Sequence, residues 1–223
     1  MSAAPGAVAV IAVLGIGRVG STVARRAIAA GYRVLVAGSG SPDDIALTVE
    51  YMIPGAEARW AADAIRAADL VILAVPFGRF PTLPLAELDG KLVLDMMNHW
   101  PPVDGDVPHV LDAASTSEAV TDMIPGALLV KALNHIGYHE IEEDARPAGA
   151  ADRRAVGIAA DDQDAADSVA HFVDRIGFEP VPIGPLPEGV HLEPGTEVFG
   201  ARLTAAELLT SVESTRAERA LAA

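Results

Sequence analysis

The chain has 223 residues, 51% hydrophobic and 21% charged, with no cysteine and a formal net charge of −15. That length suits one domain, or one domain with a small appendage, and the apolar content is enough for a sizeable core. The charge argues against nucleic acid and anionic membrane surfaces as partners, and the missing cysteine excludes disulfides, thiolate metal sites and thiol nucleophiles.

Residues 1–7 (MSAAPGA) lack a charged leader and an apolar segment of their own, and no stretch is long enough to span a bilayer. A cytoplasmic protein with a disordered tail over 1–7 is expected. Val8 to Gly20 then reads VAVIAVLGIGRVG. The small and β-branched run predicts a strand buried on both faces. Gly15, Gly17 and Gly20 follow with G-x-G-x-x-G spacing, and the apolar residues of STVARRAIAAGY have helical spacing. Strand, glycine turn and helix in that order predict a dinucleotide-binding corner. Gly15 turns the chain, Gly17 lets a diphosphate approach the backbone, and Gly20 lets the helix pack closely. Ile16, Arg18 and Val19 complete the wrap.

Arg33 to Ala37 predicts the second strand. Its end offers Ser39, Gly40 and Ser41 instead of the carboxylate that would bind a ribose hydroxyl. A 2′-phosphate suits that end, so NADP(H) is expected, with Arg18 a candidate for the missing cation. Asp43 and Asp44 open a helix to Met52, a third strand is expected near 58–60, and 61–68 is helical. Asp69 to Val75 predicts the fourth strand. Pro76, Phe77 and Arg79 leave its carboxyl end, where ligands sit in open parallel sheets. Val75, Pro76 and Phe77 are expected to touch the cofactor, with core packing the alternative for Phe77 and Phe80.

Lys91 to Asp95 is the fifth strand. Asn98 after it is a candidate to fix a carboxamide or substrate carbonyl, and His99 and Trp100 are either a stacking surface or a rim. Ser115 to Met123 reads as a helix capped by Thr116 or Ser117, and 127–133 as the sixth strand. Lys131 either pairs with Asn134 at the reacting centre or points to solvent. His135 and His139 lie four apart beside Glu140, but the sequence places no third ligand, so no metal is expected. Residues 140–144 form an acidic, solvated face. Arg153 to Ala160, a helix to Ile176 and Phe178 to Ile183 follow, then a Pro/Gly-rich covering loop. The expected fold is α/β: a Rossmann-like, doubly wound, mostly parallel sheet of about eight strands over 8–202. A C-terminal helix at 203–223 caps the sheet or meets a second subunit of a homodimer.

GIGRVG, Gly38-Ser39, AVPF at 74–77, VKALNHIG at 130–137, AVGIAADD at 155–162 and IGFEPVPIGPL at 176–186 occur in order along most of the chain. Their sequence resembles the F420-dependent NADP oxidoreductase family, short Rossmann proteins that pass hydride between NADP(H) and the deazaflavin coenzyme F420. The resemblance implies that Ile16 to Val19 wrap the pyrophosphate and Ser39 to Ser41 take the 2′-phosphate. It implies that Val75, Pro76 and Arg79 line the nicotinamide side, and that Asn134, His135 and Ile136 face the deazaflavin. Members often carry Arg where this chain has Gly40, and some carry His where it has Asn134.

Related hydroxyacid and imine reductases append a large helical domain, for which little chain remains after the eighth strand. A flat, open pocket for a planar second cofactor is therefore expected. Direct hydride transfer needs ring stacking and water exclusion rather than an acid or base. The alternatives are an NADPH-dependent reductase of a flavin or small carbonyl or imine, with Lys131, Asn134 and Asn98 polarising the substrate, and a non-catalytic NADP-binding sensor.

Overall fold

Side chains alternate across each strand, and here both faces are covered. In β1 (Val10–Leu14), Ile11 and Val13 bury in one apolar layer while Ala12 and Leu14 bury in the other. The computed structural model describes residues 8–105 and 115–222, with side chains to 218, so the tail expected over 1–7 lies outside the described residues.

The remaining strands are β2 (Arg33–Ala37), β3 (Glu57–Ala58), β4 (Leu70–Leu73), β5 (Leu92–Asp95), β6 (Leu128–Ala132), β7 (Ala155–Ala160) and β8 (Glu179–Gly184). They form one sheet in the order β3-β2-β1-β4-β5-β6-β7-β8. Every pairing is parallel except β6 with β7. This is the expected Rossmann-like sheet, and the chain order reverses beside β1, between β2 and β4.

The first layer contains α1 (Arg18–Ala29), α2 (Pro42–Met52) and α7 (Gln163–Ile176). The second contains α3 (Ala61–Ala67), α5 (Thr116–Met123) and the 3-10 turn at Phe77–Thr82. Two short helices, α4 (Pro101–Asp104) and α6 (Glu140–Glu143), lie near the strand exits. The terminal helix α8 (Ala205–Ala222) buries Leu208 and Val212 over β7 and β8. The covering loop contains a 3-10 helix at Leu186–Leu192.

Side-chain chemistry sets the helix starts. Ser41 and Asp44 form a reciprocal capping box on α2, and Asp162 caps α7. Ser115 caps α5, in place of the expected Thr116 or Ser117. Thr116 instead gives its N–H and hydroxyl to Glu193. The acidic stretch at 140–144 is not simply solvated. Asp144 is buried against Arg154 and also meets Arg202, while Glu142 pairs with Arg25. Among the described residues no helix is long and apolar enough to cross a membrane.

Candidate dinucleotide cleft

β1 ends at the corner that the glycines predict. Gly15 has φ +109°, and a Cβ there would lie 2.4 Å from the Ala74 carbonyl oxygen. Only glycine combines that dihedral with that approach. A Cβ at Gly20 would lie 1.9 Å from the Gly15 carbonyl oxygen, so the helix packs directly on the turn. Gly17 differs, because its Cβ position has nothing within 4 Å. Its bare face opens to the cleft. Helix α1 starts at Gly17 with no side-chain cap and no acid in its first turn. Its leading N–H groups are left for an anion, which the helix dipole favours.

Two hollows meet over this corner and share Gly17, Ala74, Val75 and Pro76 as their floor. The first, about 420 Å³, extends towards β2 and is lined by Ala37, Gly38, Ser39, Arg79 and Thr82 among others. The second, about 380 Å³, extends towards β5 and is lined by Arg18, Met97, Asn98, Trp100, Val103 and Tyr138 among others. A dinucleotide laid across a switch point needs two such lobes with the diphosphate between them.

The structure sorts the sequence-predicted residues. Gly15, Ile16, Gly17, Arg18, Val19, Ser39, Val75, Pro76, Arg79 and Asn98 all line one or both lobes. Arg79 shares a lobe with Ser39, not with Met97 and Asn98. Arg18 lies in the other lobe, over the Tyr138 ring at 5.4 Å, and is not the cation beside Ser39. Ser41 is committed to the capping box, and Gly40 sits against Asp44, where a Cβ would fall 2.7 Å from its carboxylate. Phe77 is buried in the second layer with its edge towards His99, which is the packing alternative.

The largest departures follow β6. Leu133 has φ +63°, an uncommon value for a side chain of its size. The chain turns there, and Asn134, His135 and Ile136 all go inward. None of the three lines the cleft. Asn134 donates to Asn98 Oδ1 at 3.0 Å and to the Leu192 carbonyl at 2.7 Å, while Asn98 donates back to the Asn134 carbonyl at 2.7 Å. Asn134 thus holds Asn98 at the cleft wall. His135 is 1% exposed. Burial, then the charges of Arg154 and Lys131, hold its pKa down to about 3, so the ring is neutral. Ile136 packs in the first layer.

Lys131 takes neither of its expected places. It is fully buried and donates to Asp95, to the Met97 carbonyl and to Thr116. Sequence reasoning gave no role to Met97, Val103 or Tyr138. Met96 and Met97 continue the alternation of β5, Met96 into the first layer and Met97 into the second, and two adjacent methionines do not say in sequence which of them edges a cleft. Tyr138 lies beyond the unannounced turn at Leu133.

Fold and cleft together define a Rossmann-type dinucleotide-binding protein. Residues 10–99 match the family described as NADP oxidoreductase coenzyme F420-dependent, which bears out the resemblance over that stretch. Among solved structures, a hypothetical protein from Sinorhizobium meliloti is similar at 26% identity and TM-score 0.72, over 87% of this chain and 95% of that one. A proposed F420-dependent NADP reductase from Arthrobacter sp. is similar at 24% identity and TM-score 0.63, over 95% and 94% of the two chains. An imine reductase from Aspergillus terreus, solved with NADPH4, shares the fold at 15% identity and TM-score 0.57; the match covers 96% of this chain and 62% of that one. No curated protein matches. The family match over 10–99 supports an NADP-dependent oxidoreductase, and the solved structures support the fold.

Proposed function

We propose that the protein passes hydride between NADP(H) and a planar acceptor, the deazaflavin coenzyme F420. The adenosine end would lie in the Ser39 lobe and the diphosphate on the backbone of Gly15 to Val19. The nicotinamide end would lie against Val75, Pro76 and Asn98, and the acceptor against Met97, Trp100 and Tyr138. The open face of Gly17, and two cleft arginines with no carboxylate partner among the described residues, are what a bound anion needs. When bound, the nicotinamide supplies the hydride chemistry.

One observation carries the reading. The second lobe is open and largely apolar, and among the described residues that line it the one carboxylate is already committed: Asp104 accepts from the Gly78 and Trp100 N–H groups. Its residues can therefore bind, orient and exclude water, which is the work that ring-to-ring hydride transfer asks of a protein. A small carbonyl or imine substrate would want a proton donor at the same place, where the Tyr138 phenol is the one candidate among the described lining residues, so activity kept by Tyr138→Phe favours the ring-to-ring reading.

The test is to mix the purified protein with NADPH and oxidised F420, and separately with FMN. Bleaching of the deazaflavin alone supports the reading. Bleaching of FMN alone would replace it with a flavin reductase, and NADPH binding with no turnover of either would replace it with a small-carbonyl or imine reductase or a sensor.

A further inference from the structure

Arg79 is a cation the fold does not use. It forms no ion pair among the described residues, in a chain whose net charge is −15. Its backbone is nevertheless fixed at both ends: its N–H donates to the Pro76 carbonyl, and its carbonyl accepts the Thr82 hydroxyl. The side chain is exposed and stands on a pinned turn.

Topology says what it faces. β1 lies between β2 and β4, so the segments leaving β2 and β4 form opposite walls of the lobe above β1. Ser39 stands on one wall and Arg79 on the other. Among the residues that line this lobe, Arg79 is the only charged one. Just outside it, the Asp44 carboxylate sits beside Gly40, tied to the Ser41 N–H at 2.9 Å. A phosphate held by Ser39 would feel that carboxylate, and a cation from the β4 side offsets it.

We propose that Arg79 selects the 2′-phosphorylated nucleotide, reaching across the lobe to the phosphate that Ser39 holds from the β2 side. The proposal rests on the NADP(H) reading above. It makes Arg79 a specificity residue at the far end of the cofactor from the reacting ring. It also accounts for a β2 exit with no arginine of its own.

Titration calorimetry with NADP+ and with NAD+ on the wild type, Arg79→Gln and Arg79→Lys tests this. Arg79→Gln should weaken NADP+ by about 10- to 100-fold and NAD+ by less than about 3-fold, with Arg79→Lys recovering part of the loss. Equal losses for both nucleotides would mean that the guanidinium only stacks on the adenine, and would overturn the proposal. So would an unchanged NADP+ affinity. A wild type that gives no heat with NADP+ would instead overturn the underlying reading. Arg79 is exposed, so both variants should keep the wild-type melting temperature, and the melting curve checks that.

Discussion

Lys131 Nζ lies 3.0 Å from Asp95 Oδ2, and both side chains are fully buried. The two residues are register partners on neighbouring strands, β5 and β6. The same ammonium also holds the Met97 carbonyl, and Asp95 Oδ1 accepts the Met97 N–H at 2.8 Å. This ion pair therefore shapes the segment that lines the β5 side of the second lobe.

Breaking the pair from one side leaves a bare charge in the core. Lys131→Met should cost about 3–5 kcal/mol in urea unfolding. Adding Asp95→Asn removes the stranded charge and should return more than half of that loss. If the double variant is no more stable than the single one, the loss comes from packing around the lysine stem, not from the uncompensated carboxylate.

The buried imidazole of His135 ties stability to pH. Its pKa is held down to about 3 in the folded protein, against an ordinary value of 6.5 when unfolded. The unfolded chain therefore binds the extra proton first as pH falls. Stability is complete above pH 6.5 and drains away between there and about 3. From roughly pH 7.5 to 5 the group should remove about 2 kcal/mol, before most carboxylates titrate. His135→Leu should flatten this part of the stability curve, whatever it does to the absolute value. An unchanged slope would mean that the ring takes up its proton in the fold as readily as in the unfolded chain.

The glycine corner was legible because each of its requirements is local. A tight φ, a close backbone and a bare Cα are written at fixed spacing between an apolar run and a helix. The Lys131–Asp95 pair was not legible, because it depends on the register of β5 against β6, set by contacts far apart in sequence. Asn134, His135 and Ile136 were misplaced for a narrower reason. Continued strand geometry would have carried part of that stretch to the cleft, but Leu133 takes a left-handed turn that nothing in a leucine announces. The lobe that Arg79 lines was not legible either, since it depends on which strands flank β1.

Gly17 and Gly20 should separate binding from folding. At Gly17 a methyl group meets open space and the backbone is extended at φ −70° and ψ −168°, so Gly17→Ala should leave stability within about 0.5 kcal/mol. It should still weaken NADP+ by at least about 10-fold, because the methyl occupies the face where the diphosphate lies. Gly20→Ala meets the Gly15 carbonyl and should cost more than about 2 kcal/mol in thermal or urea unfolding. Undiminished NADP+ binding by Gly17→Ala would move the diphosphate off this corner.

The acceptor surface can be tested apart from the nucleotide. Trp100 is 45% exposed, lines the second lobe, and is braced edge-on by Phe199 at 5.8 Å between ring centroids. Tyr138 closes the other side under the Arg18 guanidinium. Neither ring reaches the Ser39 lobe. Trp100→Ala and Tyr138→Ala should therefore each raise KM for the acceptor by about 5- to 30-fold, the value of one lost aromatic contact of about 1–2 kcal/mol. For Trp100→Ala the NADP+ dissociation constant should stay within about 2-fold, since the adenosine and diphosphate contacts are untouched. Tyr138→Ala also frees the Arg18 guanidinium and serves as the less selective of the two. Steady-state kinetics and calorimetry on the same preparations separate the two effects. A loss confined to NADP+ binding would place the nucleotide, not the acceptor, against these rings.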